Sequence, residues 1–190
     1  MKPVLIIEND TNNRKDEEED LLIFHYRSRH MECGKAKYET VSNPEDYKEL
    51  NKIENWRHVL SSLWIGKFKY DDYTFNTLSH AMQYCKFKCT NHIEKAKKFT
   101  IESNTLTARG SGLLAHRQRK SLKLNEDELR IWKQNKKQLN YDITYAKFSQ
   151  IEKAKNILKL TGNARLVNKG PRIATIYCTT IEKVRSDLFK

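Results

Sequence analysis

The large apolar side chains of this chain fall into runs whose spacing changes at turn-forming residues, and each change marks an element boundary. Leu21 to Tyr26 is an apolar and aromatic stretch of strand length, followed by a polar segment, Arg27 to Lys37, around Gly34. Ser42-Asn43 ahead of Pro44 supplies a cap signal, and Glu45, Tyr47, Leu50, Ile53 and Trp56 follow at a spacing that predicts a short helix. From Leu63 to Tyr73 large residues alternate around Asp71-Asp72, the pattern of a β-hairpin with an acidic turn, and Asn76-Thr77 then opens a helix over 78–88. Leu129, Trp132, Leu139, Ile143 and Ala146 predict a long helix over Glu126 to Phe148. Ile151 to Leu160 repeats the pattern until Thr161-Gly162 stops it. Arg172 to Tyr177 reads as a short β-branched strand and Thr180 to Phe189 as a closing helix. No segment repeats, and no heptad register runs long enough for a coiled coil.

With 190 residues the chain suits one domain around one core. Its longest apolar runs, such as Val4 to Ile7, fall far short of a membrane span, and no basic segment precedes an apolar one at the N-terminus. The expectation is a soluble protein, neither secreted nor membrane-spanning. Cys33, Cys85, Cys89 and Cys178 lack the dense spacing of a disulfide scaffold, so they read as reduced thiols in a cytosol or nucleus. Residues 8 to 20 hold no apolar side chain, which marks 1–20 as an acidic flexible segment ahead of a domain over 21–190. Residues 1–20 carry three basic and seven acidic groups against a total of +12, leaving +16 on the remainder. A body so basic attracts polyanions, and nucleic acid is the partner such a surface implies; a solvated lysine-rich face is the plainer reading, because the cations are scattered. The abundance of Lys, Asn and Ile fits an AT-rich genome, viral or bacterial.

Several residues invite chemistry on spacing alone. Gly110-Ser111-Gly112 ahead of a basic run resembles a phosphate cradle but lacks the lysine of a P-loop, and an exposed loop is the simpler account. His80, Cys85, Cys89 and His92 invite zinc, yet the spacing is that of no finger or ribbon and His80 is offset from the shared face. No metal and no cofactor is expected. Trp132 reads as a core residue at a pocket edge. His80, Gln83 and Phe87 lie at i, i+3 and i+7 of the helix over 78–88, a stripe that packs His80 and Phe87. Gln83 and Lys86 face a partner instead, because a buried amide or ammonium requires one.

Read in order, Asn55-Trp56-Arg57, Leu60-Ser61-Ser62-Leu63-Trp64, Phe68 to Tyr73 and Thr77-Leu78-Ser79-His80-Ala81-Met82-Gln83-Tyr84-Cys85-Lys86-Phe87 resemble the NADAR (YbiA-like) N-glycosidase family. So do Ala146-Lys147-Phe148-Ser149-Gln150 and Ile157 to Leu166 further along. Each motif is weak alone; their shared order carries the resemblance across residues 22 to 188. It implies a mainly helical α+β fold in a single compact domain, a ligand of ADP-ribose or ribosyl-phosphate type, and hydrolysis of N-glycosidic bonds. In the family those bonds belong to riboflavin-pathway intermediates or to ADP-ribosylated guanine.

Cleavage of such a bond passes through an oxocarbenium-like transition state, which calls for a carboxylate at the sugar. The family's glutamate stands immediately before the motif histidine. Here that position is Ser79, a neutral hydroxyl, and the asparagine of the family's L-S-N is Ser62. His80 is adjacent, but neighbouring helical side chains diverge by about 100° and it would not simply activate Ser79. Glu102, in Phe99-Thr100-Ile101-Glu102-Ser103, resembles an acidic position of one family branch and is the best substitute; Asp71 and Asp142 are others. The resemblance further implies ligand contacts from Trp56, Arg57, Ser61, Ser62 and Trp64, from His80, Gln83, Lys86 and Phe87, and from Trp132. Lys86, Arg109 and Lys147 stand near phosphate. Three functions follow in order: a catalytically impaired binder of an ADP-ribose-like ligand (a pseudoenzyme), an active N-glycosidase, and a basic nucleic-acid-associated or structural protein.

Overall fold

A computed structural model describes residues 19–119, 123–170 and 175–190. Strand β1 (Leu21–Phe24) pairs in parallel with β4 (Arg165–Asn168), Leu22 opposite Leu166, and β5 (Ile176–Tyr177) adds to β4 antiparallel. A hairpin of β2 (Phe68–Tyr70) and β3 (Tyr73–Phe75) forms a second small sheet. Helices supply the rest: α1 (Lys48–Asn51), α2 (Trp56–Leu60), α3 (Leu78–Cys89), α4 (Ile93–Lys97), α5 (Leu106–Arg109), α6 (Gly112–Gln118), α7 (Glu126–Gln150), α8 (Glu152–Leu160) and α9 (Thr179–Leu188). This is a mainly helical α+β domain. Among the described residues no helix is long and apolar enough to cross a membrane.

Two packed clusters make up the interior. Leu22 and Phe24 of β1 meet Trp56, Leu60, Ile157 and Leu166 in one; Phe68 and Phe75 of the hairpin meet Tyr84, Phe87, Phe99 and Ile143 in the other. Helix α7 joins them, burying Phe148 in the first and Ile143 in the second. Its N-terminus is fixed by a reciprocal capping box between Asn125 and Glu128. Helix α3 lies centrally, packed on α7, α4 and α6.

The differences from the sequence expectations have local causes. The segment after Asn43 starts as a 3-10 turn, Pro44–Tyr47, and Trp56 does not extend it, because Asn55 takes a left-handed backbone (φ +60°) and starts α2 afresh. The hairpin begins at Phe68 rather than Leu63. Its turn residues Asp71 (φ +52°) and Asp72 (φ +65°) both have positive φ, the type I′ combination that suits the twist of two strands. Helices α4, α5 and α6 were not expected. Residues 172–174 of the expected last strand, and residues 1–18 of the acidic segment, lie outside the described residues. Asp20, the last of that acidic segment, is anchored: its carboxylate accepts from Ser42 N–H (2.6 Å) and the Tyr47 hydroxyl (2.7 Å).

Candidate active site at the first turn of α3

Thr77 caps α3: its backbone is extended and its hydroxyl accepts from the His80 amide (3.3 Å). That places Ser79 in the first turn, buried, with its N–H on the carbonyl of Ser62 at 3.1 Å. The two positions where the motifs depart from the family pattern are therefore direct neighbours. His80 has no exposed surface, and both ring nitrogens are used. Nε2 meets the Thr107 carbonyl at 2.9 Å and so carries the proton, while Nδ1 accepts from the Thr77 hydroxyl at 2.8 Å. Burial lowers the His80 pKa, and the Thr107 bond opposes this only partly. A neutral histidine with both nitrogens committed is no base for Ser79. The first turn of α3 carries no acidic residue, so no side-chain charge offsets the positive end of its dipole.

The loop that meets this turn is held from below. Lys147, fully buried in α7, donates from Nζ to the carbonyls of Val59 (2.9 Å) and Ser61 (3.1 Å), beside the rings of Trp64 and Phe148. Among the described residues no carboxylate pairs with it, and burial brings its pKa down to about 7. Ser61 is buried, with its hydroxyl accepting from Leu63 N–H (3.2 Å), whereas Ser62 is exposed. Trp64 lies over Gly66, where a Cβ would stand 2.1 Å from the indole, and Gly112 opens α6 against Leu63, where a Cβ would come within 2.8 Å of the Leu63 Cα. Gly110-Ser111-Gly112 is thus a helix start packed against this loop, with Ser111 capping Leu114 N–H (3.3 Å). One helical turn beyond Ser79, Gln83 is buried and its Oε1 lacks a hydrogen-bond partner.

Ser61, Ser62, Trp64, Ser79, His80 and Lys147 are thus brought together, with Gln83 above them. Trp56 and Arg57 are not. Trp56 belongs to the first core cluster, and the Arg57 guanidinium is occupied by the Glu39 carboxylate and the carbonyls of Ile23, Met31 and Glu32. Glu102 is exposed on a 3-10 turn, Ile101–Ser103, with one oxygen on Thr74 N–H (2.9 Å). Burial pulls its carboxyl upward, but bonds from its own amide, Thr74 and Thr100 outweigh this and hold it ionised. Asp142 accepts from Gln138 (2.7 Å) along α7, and Asp71 accepts from Tyr84 and Lys88 beside a recess of about 220 Å³ at the hairpin turn. Arg109 is exposed at the end of α5; Lys86 reaches the Arg119 carbonyl (3.5 Å), and Phe87 is core. Trp132 is half-buried on α7 and belongs to neither core cluster, because that stretch of α7 is largely solvated. The residues that invited zinc are separately engaged, His92 with Glu128 at 2.7 Å and His80 as above.

Three contributors escaped the sequence reading. Thr107 orients His80 through a backbone carbonyl, which no side-chain pattern reports. Asn76 donates to the Ala108 carbonyl (2.6 Å) and ties α5 to the start of α3; Asn-Thr before a helix was the available signal. Glu39, fully buried against Arg57, lies 18 residues away within a polar segment.

The family profile described as the NADAR domain matches residues 29–176. Among solved structures, the NMR structure of the E. coli protein YbiA is similar, with a TM-score of 0.54 at 21% identity, covering 70% of this chain and 78% of that one. At that identity the likeness concerns the fold. A search of curated proteins returns no match. With residues 29–176 matched by that profile, on a mainly helical α+β fold, this chain belongs to the NADAR family.

Proposed function

We propose that this protein binds an ADP-ribose-like or ribosyl-phosphate ligand at the first turn of α3, with the N-glycosidic chemistry of its resemblance impaired. The observation that carries the reading is the pairing of Ser79 and Ser62 beside a His80 whose two nitrogens are both committed. A serine there offers neither a fixed negative charge for an oxocarbenium-like centre nor a base to deprotonate water. What persists suits recognition of an anionic, hydrogen-bonding ligand. The amide end of α3 is free of acidic side chains, and Gln83 has an unpartnered buried oxygen.

A second reading, an active N-glycosidase, is favoured by Glu102, which is both ionised and exposed. Incubation with ADP-ribose, NAD and an ADP-ribosylated guanine oligonucleotide separates the two, with thermal shift and product mass recorded beside a Ser79→Glu variant. The binder reading expects a thermal shift without product, and turnover gained in Ser79→Glu. Product from the unaltered protein that disappears in Glu102→Gln supports the second reading and refutes the first. Neither shift nor product leaves the basic surface as the functional feature.

A further inference from the structure

At the other end of α3 lies a recess of about 160 Å³ lined by Phe87, Lys95, Lys98, Phe99, Thr107 and Gln118. At about 30 Å³ per water it has the space of about five waters. Its floor is apolar and rigid, since Phe87 and Phe99 are both buried and stack at 5.4 Å with an interplanar angle of 22°. Its rim is cationic, with no carboxylate in the lining.

Most basic side chains with a local carboxylate use it: Lys88 pairs with Asp71, Lys97 with Glu94, Arg130 with Asp127. Among the described residues, neither Lys95 nor Lys98 takes part in an ion pair, and neither do Lys86 and Arg119, the sequence neighbours of two lining residues. Glu128, outside the lining, is within electrostatic reach of Lys95 while it accepts from His92 (2.7 Å) and the Asn125 amide (2.8 Å). Lys86, the sequence neighbour of Phe87, donates to the Arg119 carbonyl (3.5 Å) and lies within electrostatic reach of the Arg119 side chain. A concave site with two lysines on its rim, an aromatic floor and a threonine in its wall has the chemistry of an anion receptor.

We propose that this recess holds the phosphate or diphosphate group of a small nucleotide-type ligand, gripped by Lys95 and Lys98. A recess of this size with two lysines on its rim suits one such group rather than a continuous polymer backbone, which needs a track of cations. The recess is linked to the first turn of α3 through Thr107, which lines it while its carbonyl accepts from the buried His80. Phe87 stands eight residues after Ser79, roughly 12 Å along the helix axis. A ligand with a diphosphate on one side and a ribosyl group on the other can therefore span the two. The inference rests on the proposed function for the identity of the whole ligand, and not for the anion.

Inorganic pyrophosphate, which has neither base nor ribose, tests the anion site alone. It is titrated at constant ionic strength into the full chain, into a Lys95→Gln/Lys98→Gln double variant, and into a Lys133→Gln/Lys136→Gln control on exposed positions of α7. Saturable binding weakened tenfold or more in the first pair and unchanged in the control is the expected result. No saturable binding, equal loss in both pairs, or no loss in the first would overturn the proposal. So would a short single-stranded oligonucleotide binding through Lys95 and Lys98 where pyrophosphate does not. ADP-ribose is then titrated into the same proteins. A parallel loss in the first pair extends the site to the whole ligand; pyrophosphate bound without ADP-ribose refutes the proposed function and leaves the anion site standing.

Discussion

Arg57 and Lys147 are both motif cations and both buried, but they are neutralised in opposite ways. The Arg57 guanidinium faces the Glu39 carboxylate, itself fully enclosed, and three backbone carbonyls, and lies over the Trp56 ring at 4.2 Å. Glu39 in turn accepts from the amides of Ile23 (2.7 Å) and Gly34 (3.0 Å), so one ion pair ties the segment after β1 to α2. Lys147 has only the dipoles of two carbonyls and the faces of two rings. A charge compensated by a full counter-charge and a fork of hydrogen bonds is architectural; one held by carbonyls alone is poised to lose its proton. The second lies directly beneath the loop that meets Ser79, and the first lies away from it.

The largest effect expected from breaking this contrast is on the paired side. Arg57→Met leaves the Glu39 carboxylate buried without a counter-ion, and Glu39→Gln leaves the guanidinium in the same position. Each should cost about 3–5 kcal/mol of unfolding free energy. The double variant should recover part of that loss, because two removed charges leave less unpaired than one. Denaturant unfolding of the three variants measures it, and additive losses would show that the pair is not the coupled unit the contacts describe.

Lys147 should show itself through pH instead. A lysine whose folded pKa is depressed to about 7 binds fewer protons than its unfolded counterpart between that value and the ordinary lysine range near 10.5. Unfolding free energy must therefore rise with pH across that window, the strain of the buried ammonium being fully present below pH 7 and relieved above it. The limiting slope for one group is about 1.4 kcal/mol per pH unit. Unfolding curves from pH 6 to 9 should show this rise in the native chain and lose it in Lys147→Met, whose side chain does not titrate. Parallel pH curves for the two proteins would mean that the carbonyl pair stabilises the ammonium well enough to keep its ordinary pKa.

How much of this was legible beforehand depends on how local each feature is. Helix α3 and its start could be read because Thr77 is a capping residue and the helix is long enough for periodicity to register. The hairpin could be read because two aspartates interrupt alternating large residues, although Leu63 and Trp64 proved to be loop. Helices α4, α5 and α6 could not, since four to seven residues give fewer than two full turns of pattern. The motif order placed Ser61, Ser62, Ser79 and Lys147 at one site, and the fold does bring them together. It also assigned Trp56 and Arg57 there, and the fold places both elsewhere for a physical reason: the partner that binds Arg57, Glu39, lies within a polar stretch whose sequence looks solvated. Burial of a single charge in a polar segment leaves no periodic trace.

The smallest expected effect sharpens the contrast most, because it would give Lys147 the kind of partner Arg57 already has. Ser79→Glu places a carboxylate in the first turn of α3, which carries no acidic residue, where the aligned peptide dipoles offset about 0.3–1 kcal/mol of the cost of enclosing it at this buried position. The Ser79 amide is bonded to Ser62, one residue along the loop from the Ser61 carbonyl that Lys147 holds. A negative charge there favours the ammonium form and raises the Lys147 pKa, so the onset of the stability rise with pH should move upward from about 7. Two independent readouts follow from one substitution, a small change in unfolding free energy at neutral pH and a displaced pH profile. A small change without the displacement would mean that the carboxylate does not answer the lysine. Both together would identify the missing charge at position 79 as the reason Lys147, unlike Arg57, is left with carbonyls alone.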